Sequence, residues 1–254
     1  MTWLDASGYL VDLDGTLISG RQAQPWAAHL LDAVRDRFVI VSNDAEHTPE
    51  QLSRFLRGRG LQVWPEQIVV AGTAAIDLVA HEQPAARVLL LGGVGLRTYA
   101  RRRGLVLTDT GADIVILSRD RRFSYGKLAA AANAIRSGAR LIATNPDRTH
   151  PGPDGSIVPE TGALLAALLA CVGPIAHRII GKPEPALFEA GLARLRTPAH
   201  DTVVIGDNDE TDGLGAQRLG MRFAKLEVGD ARATTARLVS LFGDGPHATL
   251  QIGE

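Results

Sequence analysis

Two aspartates two positions apart, Asp12 and Asp14, stand in the segment Asp12-Leu13-Asp14-Gly15-Thr16-Leu17, directly after the apolar run Tyr9-Leu10-Val11. In an extended strand, residues two apart face the same side, so both carboxylates can converge at the strand's C-terminal end. Open α/β sheets take their ligands at that end. Gly15 lets the chain turn sharply away, and the Thr16 hydroxyl can fix the loop. Two carboxylates this close repel each other unless a cation lies between them. Magnesium suits such a place, because it prefers oxygen ligands and commonly sits between one or two carboxylates and a phosphate. Asp12 would then attack phosphorus, while Asp14 would protonate the leaving alkoxide and later take a proton from the hydrolytic water. A plain Asp-Gly turn, with both aspartates capping, is the alternative.

Three further motifs bear on that choice. Ser42-Asn43-Asp44 follows the apolar run Phe38 to Val41, where a hydroxyl and backbone N–H groups make a phosphate cradle. Taken alone it also reads as a Ser/Asn turn. Gly181-Lys182-Pro183 follows Ile179-Ile180. Pro183 keeps Lys182 out of helical geometry, and the ammonium can reach phosphate and the Asp12 carboxylate, although a loop lysine is ordinarily just solvated. Gly206-Asp207-Asn208-Asp209-Glu210-Thr211-Asp212-Gly213 follows Val203-Val204-Ile205. Helix capping accounts for one or two of these acids. Four acids within six residues call for a metal.

Short apolar runs alternate with longer Ala/Leu/Arg-rich stretches, the pattern of an α/β fold with a Rossmann-like, doubly wound parallel sheet covered by helices. Strands are expected at 9–11, 38–41, 68–70, 88–91, 114–117, 141–143, 179–180 and 202–205, and helices at 25–37, 49–59, 73–80, 95–103, 125–137, 162–172, 185–195 and 211–219. Gln83-Pro84-Ala85 and Gly173-Pro174 are breakers flanking the central third. They divide the chain into a discontinuous core, 1–83 and 174–254, and an inserted α/β domain, 84–173.

Composition narrows the partners. With 27 Lys and Arg against 28 Asp and Glu, the net charge of -1 offers no attraction to nucleic acid or an acidic membrane. The longest apolar run, Ala163 to Val172, is far short of the roughly 20 residues that span a bilayer, and Met1-Thr2-Trp3-Leu4-Asp5 lacks the pattern of a secretory signal. Cys171 lies in that apolar run, where a buried inert thiol is expected, and a single cysteine fits a reducing cytoplasm. Gly92-Gly93-Val94-Gly95 lacks the third glycine of a dinucleotide loop and reads as a strand-to-helix turn.

Together the four motifs resemble those of the haloacid dehalogenase-like (HAD) hydrolase superfamily. Tyr125-Gly126-Lys127-Leu128, Gly138-Ala139, Ala143-Thr144-Asn145-Pro146-Asp147 and Gly162-Ala163 resemble the large C2-type α/β cap of its subfamily IIA, which includes 4-nitrophenyl phosphatase and pyridoxal phosphate phosphatase. The resemblance implies a magnesium-dependent phosphatase acting on a small-molecule phosphate monoester through an aspartyl phosphate on Asp12. It makes Asp14 the general acid and base, and gives phosphate contacts to Ser42, Asn43 and Lys182. Magnesium would lie on Asp12, Asp207 and the backbone carbonyl of Asp14, with Asp212 and Asn208 orienting its waters. Cap contacts to the leaving group would come from Asn145, Asp147, Arg148 and His150, joined by Arg119 and Arg122. Homodimerisation through the cap is a further implication. A catalytically silent phosphate-ligand binding protein on the same fold is the alternative, against which Asp14 argues; carbon–halogen cleavage needs neither the Asp207 cluster nor a second acid. Two positions depart from the family pattern, Asp44 in the second motif and Glu160 in Pro159-Glu160-Thr161-Gly162.

Overall fold

The computed structural model describes residues 6–152 and 155–226, together with Thr234 and Leu238. In chain order its strands are β1 (Gly8–Val11), β2 (Ile18–Ser19), β3 (Gln22–Ala23), β4 (Phe38–Ser42), β5 (Ile68–Val70), β6 (Arg87–Leu91), β7 (Val106–Leu107), β8 (Ile114–Leu117), β9 (Arg140–Ala143), β10 (Thr149–Pro151), β11 (Ile157–Pro159), β12 (His177–Ile179), β13 (Thr202–Gly206) and β14 (Arg222–Lys225). The helices are α1 (Ala27–Val34), α2 (Pro49–Arg57), α3 (Ala71–Glu82), α4 (Val94–Arg102), α5 (Tyr125–Arg136), α6 (Thr161–Val172), α7 (Pro185–Leu195) and α8 (Leu214–Arg218). Two compact units result. The first holds the described residues up to Val41, Ser53–Ile68 and those from Gly191 on; the second holds Ser42–Leu52 and Val69–Ala190.

The first sheet has the order β14-β13-β1-β4-β5. β1 pairs in parallel with β4 on one side and with β13 on the other, Tyr9 lying opposite Phe38 and Val203. From β1 the chain moves outward to β4, whereas from β13 it moves the opposite way to β14. Connections therefore diverge between β1 and β13, the switch point at which such sheets open a crevice beyond their C-terminal ends. β1, β4 and β13 are buried along their whole length because the sheet is covered on both faces. α7 crosses β1 and β4 at Gly191, where a Cβ would crowd the Leu10 and Val41 side chains.

The second sheet, β12-β9-β8-β6-β7, is parallel in every pair. Alternate residues supply its two faces, as a period of two requires. Val88, Leu90, Ile114 and Ile116 pack with Ile76 and Val79 of α3 and Leu96 and Ala100 of α4. Leu89, Leu91, Val115 and Leu117 pack with Ala131 of α5 and Leu165 and Leu168 of α6.

Several expected elements shift. The run at 179–180 is strand at His177–Ile179, and the helix expected at 211–219 begins as a wide π-type turn, Asp209–Gly213, before α8. The hairpins β2/β3 and β10/β11 and the strands β7 and β14 lack the apolar runs that would announce them, since most of their residues are exposed or half-buried. Cys171 is exposed rather than buried. The buried stripe of α6 runs through Thr161, Leu165 and Leu168, and Cys171 falls beside it in the last turn. Among the described residues no helix is long and apolar enough to cross a membrane.

Candidate active site

Each acidic motif of the first unit sits where a buried strand stops. Asp12 follows β1 and donates its backbone N–H to Ile205 O at 2.8 Å, so its position is tied to the end of β13. Asp207 follows β13 directly. Asp212 lies in the π-type turn, and the wider winding of such a turn shifts every later side chain around the axis. The outcome is that one carboxylate oxygen each from Asp12, Asp207 and Asp212 lies within 4.8 Å of the others. Asp12 and Asp212 are buried and Asp207 half-buried.

Two glycines make the space for this convergence. Gly15 has φ +91, a conformation L residues rarely adopt, and a Cβ there would collide with the Asp207 carboxylate. A Cβ on Gly206 would collide with the Asp212 carboxylate. Three carboxylates gathered in a cradle that side chains on residues 15 and 206 would fill, all of them hard oxygen donors, fit a divalent cation.

Other polar residues of the 206–213 segment have contacts of their own. Asn208 caps the turn by accepting from Glu210 N at 2.8 Å, Asp209 pairs with Lys225, and Glu210 is exposed. Asp14 is exposed, its backbone bridging to Ile18. The loop after β1 is held differently from what its sequence suggests. Thr16 is fully buried, yet its hydroxyl has no partner among the described residues. The loop is pinned through its carbonyls instead, Gly15 O accepting from Gln24 Nε2 and Thr16 O from Trp26 Nε1, both at 2.9 Å. The β2/β3 hairpin brings Gln24 and Trp26 back to it.

The second unit gathers the other motif residues around Asn43. Its Nδ2 donates to Asp147 Oδ2 at 3.0 Å and to Lys182 O at 3.1 Å, while its Oδ1 accepts from Lys182 N at 2.7 Å. Asn145 Nδ2 donates to Asn43 O. Gly181 is required beside it, since a Cβ there would strike Asn43 Oδ1. The loops carrying Asn43, Asn145 to Asp147 and Lys182 are thus one hydrogen-bonded assembly. Ser42 and Lys182 are buried, and Ser42 Oγ accepts from Asp44 N at 3.0 Å.

Both unusual acids are accommodated. Asp44 accepts from the backbone N–H groups of Glu46 and His47 at 2.9 and 2.7 Å and meets His47 Nδ1 at 2.8 Å. Burial pushes its carboxyl up, but the hydrogen bonds and the charge of His47 outweigh this and hold it below the ordinary Asp value. The bond to Asp44 in turn lifts the His47 imidazole above its usual value, against desolvation. Glu160 lies 2.5 Å from His150 Nδ1 and 3.1 Å from Arg119 Nη1, which also reaches Glu46 at 3.4 Å. Burial lifts the Glu160 carboxyl above its ordinary value, and Arg119 and His150 offset only part of that rise. Arg122 and Arg148 are exposed. Glu46, which no motif announced, meets Arg119, contributed by the loop after β8, and lies 3.7 Å from Arg121.

Residues 9–106 match the family described as haloacid dehalogenase-like hydrolase, and residues 179–247 match the HAD-hydrolase-like family. An acid sugar phosphatase of Staphylococcus haemolyticus is 34% identical over 226 residues, covering 87% of this chain and 85% of that one. The chain belongs to the haloacid dehalogenase-like hydrolases. A dihydroxyacetone phosphatase of Corynebacterium glutamicum is 35% identical over 224 residues, covering 87% of this chain and 81% of the relative. Among solved structures, a p-nitrophenyl phosphatase from Archaeoglobus fulgidus superposes with TM-score 0.84 at 28% identity, over 96% of this chain and 95% of that one. A glycerol phosphate phosphatase from Mycobacterium tuberculosis, in complex with magnesium, gives TM-score 0.83 at 32% identity, over 91% of this chain and 70% of that one. This HAD hydrolase stands with the nitrophenyl phosphatase and NagD-type group of the superfamily and is by class a phosphoric monoester hydrolase.

Proposed function

We propose that this HAD hydrolase is a magnesium-dependent phosphatase that removes phosphate from a small hydroxylated compound through an aspartyl-phosphate intermediate on Asp12. The convergence of the Asp12, Asp207 and Asp212 carboxylates at the switch point of the first sheet carries the reading. A metal bound there by Asp12, Asp207 and the Asp14 carbonyl would neutralise charge on the phosphoryl oxygens, and Asp212 and Asn208 would orient its waters.

Asp12 attacks phosphorus, and the ester oxygen leaves as Asp14 gives it a proton. Water then adds to the acyl phosphate with Asp14, now ionised, taking its proton, and phosphate departs from a regenerated Asp12. Exposure of Asp14 at the strand end suits a group that must meet both the leaving group and water. Ser42, Asn43 and Lys182 are assigned to the phosphate oxygens, and residues 84–173 to a cap that selects the leaving group and excludes water, with Asn145, Asp147, Arg148 and His150 as its contacts. Relatives named for sugar, dihydroxyacetone and glycerol phosphates support a small hydroxylated leaving group.

Asp12→Asn should lower magnesium-dependent phosphate release from an aryl phosphate by at least about 10³-fold while leaving the thermal unfolding transition in place. Retention of most activity would exclude Asp12 as nucleophile. Ligand-dependent stabilisation of the unmodified chain without turnover, across sugar phosphates, nucleotides, pyridoxal phosphate and phosphoglycolate, would instead favour a binding protein.

A further inference from the structure

Glu160 stands at the junction of β11 and α6, and its backbone is pinned on both sides. Its N–H donates to Arg148 O at 2.9 Å, and its carbonyl accepts from Ala163 N at 3.1 Å. Gly162 lets the loop before β10 come close, since a Cβ there would strike Pro146 O. An acid at the N-cap ordinarily accepts from the first helical turn. Glu160 makes no such bond, and its buried carboxylate meets the β10/β11 hairpin instead. In that hairpin His150 lies opposite Val158. Glu160, two positions beyond Val158, therefore shares the face of His150, the diagonal arrangement in which long side chains reach each other. Glu160 Oε1 lies 2.5 Å from His150 Nδ1.

The same oxygen meets Arg119 Nη1 at 3.1 Å. A guanidinium only donates, so Oε1 is an acceptor, and the network assigns a hydrogen to His150 Nδ1, which faces that atom. Arg119 Nη1 also reaches Glu46 at 3.4 Å, which ties the guanidinium to the loop after β4. With Nδ1 protonated, the neutral ring has its acceptor at Nε2. Left to itself a neutral imidazole carries its proton mostly on Nε2. The carboxylate thus reverses what the ring offers a ligand, from donor to acceptor. The His150 ring is half-buried, and Nε2 has no partner among the described residues.

We propose that Glu160 is a positioning residue: by holding His150 through Nδ1 it presents Nε2 as a hydrogen-bond acceptor for a hydroxyl of the leaving group. Arg119 supports it by keeping Oε1 an acceptor. The proposal rests on the phosphatase reading above, which assigns His150 to the leaving group, and names the chemical group that His150 selects.

Two measurements on the full chain test it. Nitrogen NMR of isotope-labelled histidine, with His150→Ala to assign the signals, reads which nitrogen of the neutral ring is protonated. The unmodified chain should show the proton on Nδ1, and Glu160→Ala should move it to Nε2. Glu160→Gln should keep it on Nδ1, because both neighbours of that oxygen are donors and the amide oxygen suits them. A proton on Nε2 in the unmodified chain, or the same tautomer in Glu160→Ala, overturns the proposal.

Kinetics with magnesium compare kcat/KM for glycerol 3-phosphate with that for n-propyl phosphate, which has the same carbon chain without hydroxyls. The unmodified protein should favour glycerol 3-phosphate. Glu160→Ala should narrow that preference about three- to tenfold, the worth of one neutral hydrogen bond, chiefly through a higher KM for glycerol 3-phosphate. His150→Ala should narrow it equally, the double variant no further, and Glu160→Gln should retain it. Equal loss on both esters in Glu160→Ala, as large a loss in Glu160→Gln, or an unchanged preference in His150→Ala overturns the proposal. Should Glu160→Ala fold poorly, the tautomer of the unmodified chain and the His150→Ala preference still decide. A chain that hydrolyses no ester sinks the phosphatase reading alone; isothermal titration of the two compounds then gives the preference, with the same outcomes for and against.

Discussion

The acidic trio of the first unit and the Asn43–Arg119–Glu160 assembly of the second are built by opposite means. Asp12 and Asp207 are short side chains carried into place by the backbone, each one residue beyond a buried parallel strand, with Gly15 and Gly206 making room. Little rotamer entropy has to be removed to hold them there. The second assembly spans gaps with long side chains from several loops, Glu46 after β4, Arg119 after β8, His150 on β10 and Glu160 after β11, tied to one another through Arg119 and Glu160. The trio thus rests on the frame of the sheet, and the second assembly on a network of side chains. Under the proposed function, such a division would let the leaving group change over evolution while the reaction stays fixed.

If that contrast is sound, a methyl group at the trio should do more harm than a lost charge in the network. Gly15→Ala places a Cβ against Asp207 at φ +91 and should cost about 1–3 kcal/mol of stability. Misplacing a reacting group by an ångström costs about 10²-fold in rate, and at least that loss in kcat should appear in steady-state kinetics. Wild-type turnover in Gly15→Ala would remove the trio's dependence on backbone clearance.

Metal linkage gives a smaller effect confined to the trio. With magnesium at 100 times its dissociation constant, the unmodified chain should gain about 2.7 kcal/mol over its chelated form, read as a shift in thermal midpoint. Asp207→Asn should abolish most of that shift, and His47→Gln should leave it intact.

The smallest effect belongs to the Asp44–His47 pair. His47 is raised in the folded state, so its share of stability is complete below its ordinary value of 6.5 and is lost as pH rises through the higher folded value. Asp44 is lowered, so its share is present above its ordinary 3.8 and lost as pH falls through the lower folded value. The His47 side chain is 46% exposed, which limits the pair to about 0.2–1 kcal/mol. In thermal unfolding followed from pH 5 to 9, His47→Gln should flatten the decline on the alkaline side; an unchanged slope would assign that decline to other groups.

How much could be read in the chain follows from the same contrast. The parallel sheets were legible because Leu10, Val39, Leu90, Val115 and Val204 lie in unbroken apolar runs, and Asp12 and Asp207 because strand ends are where such sheets bind ligands. The Asp212 carboxylate lies with those of Asp12 and Asp207, a phase around the axis that its place in the chain does not give. The π-type turn sets that phase, and no residue pattern distinguishes it from an ordinary first helical turn. The pinning of the loop after β1 by Trp26 was hidden, since the bond uses a carbonyl of residue 16 and not its hydroxyl. Glu46, Arg119 and Glu160 are far apart in the chain and were illegible as a group, because only the tertiary fold brings long polar side chains from separate loops together.

The parallel pairing of Tyr9 with Val203 carries a consequence for biosynthesis. At about 5–20 residues per second, β1 waits on the order of 10–40 s after leaving the ribosome before its neighbour β13 exists. Throughout that interval Asp12 has no Asp207 beside it, so under the proposed function a nascent chain would neither hydrolyse esters nor hold the metal. One edge of β1, lined by Tyr9, Leu10 and Val11, meanwhile stays open to wrong partners. Competence would then arrive late and all at once, and truncated products would be inert.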